Sequence, residues 1–443
     1  MKKLFFFLIT LLLVVTVIFA NGSKEDQANT TPIDSISAKE IKDANVTLQL
    51  WHAQTGFNEK ALNDVVNLFN TTNTYGITVK ATSQNGYSEC NKKVTAALAA
   101  KSQPNIAQAY NNNVLDYLPS GLVLNLTDYL NDDFGINDKD KSTIVTSYLA
   151  ENSAYPDGNS YSTSLGKSTE VLYYNKTFFK QNNLKVPTTY EELSTVAKKA
   201  SDILGKPAFG YESIKNLSIY GPQNFGAKYA TTDGTVLLFN KDNINATMDC
   251  YKWWQKGIQE GYFTIAGEDK YCAIPFCAGQ PVMFVGSCSV VSYLIPDGFE
   301  IGVAPIPFGK HPTVIQEGGN FCGFKSGNPI TDLATSIFLE FLYTPKASAL
   351  YAVKTGYAPS NEMAKKEQIY IDFIAQNNLK TQTKEISANY PASYRSFDPI
   401  FSNSYRTRVE LGKIIEKISL EKDCNISEEI KNICKKLSFE CAK

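Results

Sequence analysis

Between Val46 and Ala107 the apolar residues switch period from two to about 3.6 and back again, and that rhythm leaves few architectures open. Val46-Thr47-Leu48-Gln49-Leu50 alternates as a strand does. Asn58 to Phe69 then places Leu62, Val65, Val66 and Phe69 on one helical face. A strand at Ile77–Ala81, a helix through Val94, Ala97 and Leu98, and a strand near Asn105–Ala107 continue the series. Strands separated by helices long enough to cross over build an α/β layer on a mostly parallel sheet.

A second series opens near Gly166. Glu170-Val171-Leu172-Tyr173-Tyr174 is strand-like. Thr189 and Glu192 have the spacing of a capping box, the apolar stripe Leu193, Val196, Ala197, Ala200 and Ile203 follows, and Gly205 is a natural stop. Met248–Gly261 reads as a helix carrying Trp253 and Trp254, expected in the core or on the lobe surface, and Pro281–Val285 and Ile301–Ala304 read as buried strands. Helices are expected at Thr331–Leu342 and, capped by Ser427, over a segment burying Ile430, Ile433, Cys434 and Leu437. At 443 residues the chain exceeds one simple core and suits two large lobes.

Lys2 and Lys3 precede an apolar run from Leu4 to Phe19 that ends at Ala20, the layout of an export signal. Ile18 and Ala20 suit a cleavage pocket and Asn21-Gly22-Ser23 breaks the helix, so residues 1–20 are assigned as a signal peptide. A retained anchor is the other reading, because the run approaches bilayer-spanning length. Residues 21–44 are polar and read as a flexible leader. No later apolar segment approaches membrane length.

A net charge of −1 offers none of the basic surface that nucleic acid requires, so no nucleic-acid partner is expected. Nine cysteines, an odd number, leave at least one unpaired within the chain. They form no CxxC pair and only His52 and His311 could join them, so neither a metal site nor a cofactor is expected. Gly166-Lys167-Ser168-Thr169 has the tail of a phosphate-binding loop, but Tyr161 stands where the leading glycine belongs. There is no GxSxG elbow and no HExxH pair. Chance pairs among 44 acidic residues carry no argument for glycoside cleavage, and catalysis is disfavoured.

Val171-Leu172-Tyr173-Tyr174-Asn175-Lys176-Thr177-Phe178-Phe179, followed by Pro187-Thr188-Thr189-Tyr190-Glu191-Glu192-Leu193, resembles the family 1 extracellular solute-binding proteins. Phe338–Leu342 with Pro345 and Thr355-Gly356-Tyr357-Ala358-Pro359, Trp51-His52 at the end of the first strand, and Gly318-Gly319 match the same family in order. The resemblance implies an α/β, two-lobed periplasmic-binding-protein fold of the class II type, with hinge-linked lobes and a ligand cleft between them. Lobe 1 is expected at 45–165 and 306–352 and lobe 2 at 166–305 and 353–443, with crossings near Ser164–Lys167 and Ala304–Phe308. It also implies a monomeric substrate-binding component of an ABC transporter, on the periplasmic or outer side of the inner membrane. Such a component captures a glycerol phosphate or carbohydrate and delivers it to membrane permease subunits. A secreted carbohydrate-active hydrolase or lyase, and an adhesion or scaffold protein of the same fold, are the alternatives.

Leu50-Trp51-His52, Gln103-Pro104-Asn105-Ile106 and Ser168-Thr169 are similar to the branch of that family that binds sn-glycerol 3-phosphate. Carrying the contacts of that branch across implies Tyr87, Ser168, Ser287, Gly319, Tyr357 and Arg408 as ligand-binding residues, with Arg406 as an alternative to Arg408. Asn111 stands where that branch has a glutamate, and Ser213–Ser218 lacks its tryptophans. The residue types suit the task. Tyrosine supplies a ring face and a hydroxyl, serine can donate or accept, a glycine N–H admits close approach, and an arginine fork fits phosphate. The same residues have ordinary roles as well: half-buried tyrosines, a turn glycine, a surface ion pair.

Overall fold

The computed structural model describes residues 35–129, 136–231, 233–267 and 271–442. The expected signal peptide and the leader up to residue 34 lie outside the described residues. Residues 35–44, expected to be part of a flexible leader, are instead folded. Ser37 and Glu40 form a complete capping box on a helix at Ala38–Ala44, and Ile36 and Ile41 are buried. The polar composition concealed two isoleucines that anchor the segment.

The strands run in chain order β1 (Thr47–His52), β2 (Thr78–Ser83), β3 (Ile106–Ala109), β4 (Gly166–Lys167), β5 (Glu170–Asn175), β6 (Phe209–Tyr211), β7 (Phe263–Ile265), β8 (Met283–Ser287), β9 (Ile301–Ala304), β10 (Val314–Ile315), β11 (Asn320–Gly323), β12 (Ala358–Pro359) and β13 (Arg395–Ser396). One sheet has the order β11-β3-β1-β2, with β1 parallel to β2 and β3, and β11 antiparallel on the edge. Alternation along its strands sends Leu48, Leu50 and Ile106 to one face and Ala107, Ala109 and Cys322 to the other. On the first face Phe69, from helix Gly56–Thr72, meets Phe338 and Phe341, from helix Pro329–Phe341, at 5.0 and 5.1 Å. Each fully buried ring or leucine there contributes about 1.5–3 kcal/mol.

The second sheet, β7-β6-β8-β5-β9, is mixed: β6 runs parallel to β7 and β8, while β5 runs antiparallel to β8 and β9. β9, expected to be buried, is a half-buried edge strand. Trp254 is fully buried against Phe263 at 5.0 Å and donates Nε1–H to Ser419 Oγ at 2.9 Å. Trp253 stacks on Tyr190 at 4.5 Å. Both tryptophans serve the core of the second unit. Thr189 caps helix Tyr190–Leu204 as its spacing indicates, but the Glu192 carboxylate reaches one residue further back, to the Thr188 N–H at 2.8 Å. Gly205 closes that helix in the left-handed region at φ 66°. The C-terminal helix starts at Ile426 because Asn425 accepts from the Glu428 N–H, which places Ser427 inside the first turn rather than at the cap. All nine cysteines are free thiols, and among the described residues no helix is long and apolar enough to cross a membrane.

The chain passes between the two units three times. Thr163 pairs with Phe321, β4 with β12, and Ser168 with Glu317. The Thr163–Phe321 and Ser168–Glu317 bridges hold the first two passages side by side, and β12 pairs with the first of them. The return passage lies at 316–319, not at Ala304–Phe308, because Ile306, Val314 and Ile315 are buried in the core of the second sheet. The last passage falls after residue 374 rather than at 352. Ala352, Ala364 and Tyr370 form one buried cluster beside the first unit, and helix Leu379–Asn389 packs on β5 and β9.

Candidate functional site

A cleft of about 840 Å³ opens between the units, and both of them and the crossing strands line it. From the first unit come Tyr87, Tyr110 and Asn111; from the crossings, Ser168, Gln316, Glu317 and Gly318; from the second unit, Glu170, Glu212, Asn216, Ser287, Asp398, Tyr405 and Arg408. Five of the seven expected residues therefore border one space: Tyr87, Asn111, Ser168, Ser287 and Arg408. Gly319 and Tyr357 are not part of its lining.

Gly319 sits directly behind Tyr87. Its N–H donates to Tyr87 Oη at 3.1 Å, so that amide holds the tyrosine rather than facing the cleft. Gln54 Nε2 donates to the same oxygen at 3.1 Å, burial pushes the phenol up to about 12, and the Tyr87 ring stacks on Tyr110 at 4.5 Å. Tyr357 is buried beside Tyr351 and backs Gly318. A Cβ at position 319 would lie 2.4 Å from Tyr87 Cε1. Gly319→Ala must therefore swing the ring away, and it is expected to cost about 1–3 kcal/mol in urea denaturation and to weaken solute binding in parallel.

Several other polar groups are committed to the protein itself. Asn111 Nδ2 donates to Glu151 O at 3.1 Å, and its Oδ1 accepts from Tyr155 Oη at 3.1 Å and Ser162 Oγ at 2.7 Å. Ser168 Oγ donates to Glu317 O at 3.1 Å, and Ser287 Oγ is paired with Ser289 Oγ at 2.8 Å. Beneath them Lys167 and Glu151 form a buried ion pair of 2.5 Å, and Gln316 Nε2 donates to Glu151 Oε2 at 2.7 Å. Burial lowers the Lys167 pKa, and the Glu151 charge works against that.

Arg408 is the centre of the second-unit wall. Nη1 pairs with Asp398 Oδ2 at 2.5 Å, and Nη2 donates to Asn216 Oδ1 and pairs with Glu317 Oε1 at 2.9 Å. Burial disfavours its charge, but Asp398 and Glu317 outweigh that and hold it well above the ordinary arginine value. The expected free fork for phosphate is thus already engaged by two carboxylates. Glu170 accepts from Tyr211 Oη at 2.7 Å and Asn216 Nδ2 at 2.8 Å, and burial nonetheless lifts its carboxyl to about 7. Glu212 is also raised to about 7, by burial first and by the Glu170 charge second, while nearby backbone amides of Ala273, Cys272 and Ser287 oppose the shift.

The sequence reading missed Tyr110, Glu170, Glu212, Asn216, Glu317, Asp398 and Tyr405. One signal was visible: Glu170 opens a strand whose next three residues are apolar or aromatic, an expensive place for a carboxylate without a purpose. Where the expected branch has tryptophans, Ser213 caps helix Ile214–Asn224, and Ile214 and Lys215 face the cleft instead.

The family described as bacterial extracellular solute-binding protein matches residues 64–378. The sn-glycerol-3-phosphate-binding periplasmic protein UgpB of Salmonella typhimurium is 26% identical over 348 residues, covering 74% of this chain and 78% of that protein. UgpB of Brucella abortus is also 26% identical, over 75% of this chain and 79% of its own. Among solved structures, UgpB from Mycobacterium tuberculosis in complex with glycerophosphocholine superposes with a TM-score of 0.75 at 20% identity, over 88% of this chain and 97% of that one. The cyclic alpha-maltosyl-1,6-maltose binding protein from Arthrobacter globiformis gives 0.71 at 18% identity, over the same shares. Both likenesses are of fold: two α/β lobes around a cleft.

Proposed function

The chain belongs to the bacterial extracellular solute-binding proteins, and from that premise we propose that it is the substrate-binding component of an ABC importer, capturing a small hydroxyl-rich solute and handing it to membrane permease subunits. A glycerol phosphate derivative or a carbohydrate is the solute class, in keeping with the names of the relatives. The observation that carries this reading is the cleft itself, lined from both units by stacked tyrosines, serine hydroxyls and carboxylates. Rings cover the carbon faces of a polyol, and polar groups replace the water its hydroxyls lose.

In this reading the lobes comprise residues 35–165 with 320–374 and residues 170–315 with 379–442, and the paired crossings are the hinge. Contacts from both walls favour the closed state only as far as the ligand binds it better than the open one. The protein acts as a monomer on the outer side of the inner membrane, exported by its N-terminal segment, and releases its solute unaltered.

A thermal-shift screen of the mature chain tests this with glycerol 3-phosphate, glycerophosphodiesters, maltose and other sugars. A true ligand at about one hundred times its Kd adds roughly 2.7 kcal/mol of stability. Small-angle scattering of the same complex is expected to show a smaller radius of gyration. A screen in which no solute raises the melting temperature, or a bound compound recovered chemically changed, sinks the reading.

A further inference from the structure

The stretch Phe397–Ile400, between β13 and helix Ser404–Leu420, has no regular structure and lines the cleft through Phe397, Asp398 and Ile400. Its flanks belong to the second unit. Before it, β13 pairs with β10. Within it, Asp398 pairs with Arg408 Nη1 at 2.5 Å and accepts from Tyr220 Oη at 2.8 Å. After it, Phe401 is buried in the core of the second sheet, so close to Gly234 that a Cβ added there would lie 3.0 Å from the Phe401 Cβ.

Ile400 points the other way. It is 2% exposed, and the core it joins belongs to the first unit. The other buried members of that cluster lie at 53–155 and 322–324, and include Val114, Tyr117 and Tyr155. One side chain thus crosses from a strap anchored at Asp398 and Phe401 into the opposite wall. Pro399 stiffens the strap, because its ring fixes its own φ and keeps Asp398 extended. Alongside, helix Ser404–Leu420 approaches helix Asn111–Tyr117 across the same gap. An isoleucine placed in this way leaves water only while the units are together. Opening the cleft returns its apolar surface to water. The contact therefore weighs on the balance between open and closed forms independently of any solute.

We propose that Asp398-Pro399-Ile400 is a latch: closure seats Ile400 in the first unit, holds the cleft shut with an apolar contact of the protein's own, and slows the escape of the solute. This deepens the solute-binding reading, but it rests on the two-unit cleft and not on which solute occupies it. The solute then supplies only part of the free energy of closure, and its apparent affinity rises with the fraction of molecules already closed. The strap also bounds the cleft, so a solute extending past Ile400 must displace it.

Small-angle scattering and hydrogen exchange on the mature chain without added solute, as parent and as Ile400→Ala, test the latch. The variant is expected to keep its far-ultraviolet dichroism and to gain in radius of gyration. Exchange in helix Asn111–Tyr117 is expected to speed about tenfold, while β1 and β5 exchange as in the parent. Calorimetry with sn-glycerol 3-phosphate and with maltose is expected to show about tenfold weaker binding, through faster release, for whichever of them the parent binds. Ile400→Val is the second variant should alanine fail to fold, with exchange in that helix about threefold faster. A folded alanine variant with the parent's radius of gyration, or a valine variant with the parent's exchange in that helix, overturns the proposal and leaves the solute-binding reading standing. Faster exchange spread evenly through β1, β2 and β3 also overturns it, because Ile400 then only fills the core of the first unit. If neither probe nor any compound of the wider solute screen binds, the solute-binding reading falls, and the scattering and exchange results still decide the latch.

Discussion

Arg408→Met is expected to lower stability by about 3–5 kcal/mol and to abolish measurable solute binding. The guanidinium is buried and bridges Asp398, Glu317 and Asn216, three groups from separate stretches of chain. Removing it leaves Asp398 dependent on Tyr220 Oη, at 2.8 Å, and leaves Glu317 without its cation. Breaking a buried pair from one side costs more than the pair contributes, because the surviving charge stays desolvated. Arg408→Lys is expected to recover a minority of the loss, since one ammonium cannot span the fork. Urea denaturation and calorimetry on the three proteins check this, and a methionine variant within 1 kcal/mol of the parent would show that the carboxylates take up protons at little cost.

The second large effect is expected at Lys384, on helix Leu379–Asn389. Its Nζ donates to the carbonyls of Ala352, at 2.5 Å, Thr355, at 3.2 Å, and Tyr357. Three donors meet three acceptors at the C-terminal end of helix Pro345–Lys354, where carbonyls lack helical partners and the helix dipole favours a cation. Lys384→Met keeps the stem and strands the carbonyls, which is expected to cost about 3 kcal/mol. Because one partner packs on the second sheet and the others on the first unit, the damage should concentrate at the last passage between them. Hydrogen exchange should speed at Tyr357 and Ala358 more than in β1. Uniform acceleration across both sheets would count against this assignment.

Much of the fold was legible because it rests on local rules. The alternation at Val46–Leu50 and the stripe Leu62, Val65, Val66 and Phe69 need only one buried face, and the structure has both. Gly205 closes its helix for a reason internal to glycine. Boundaries between the units were not legible, since Val314 and Ile315 look like any apolar pair until their partners, Arg395 and Ser396, are known. The site divides in the same way. Of the positions expected from the family pattern, Tyr87 and Arg408 border the cleft and Tyr357 does not. The balance of charge around Arg408 was not legible, because Glu317 lies 91 residues and Asn216 192 residues away in sequence. Gly319, expected as a ligand contact, lies behind the cleft wall with its N–H turned to Tyr87 Oη, a pairing across 232 residues that no local pattern could have designated.

The edge strand β11 bears on how this molecule is made. It completes the sheet begun by β1, β2 and β3, yet it is synthesised more than two hundred residues later, after the whole second sheet. Until residue 323 emerges, β3 presents an unsatisfied row of amides and carbonyls, a template for pairing with other chains. Maturation of the amino-terminal half thus waits on the carboxyl-terminal half, and contacts so distant in sequence form slowly. A nascent chain halted before β11 should be the aggregation-prone species in this protein's biogenesis, and the one that most needs a holding chaperone.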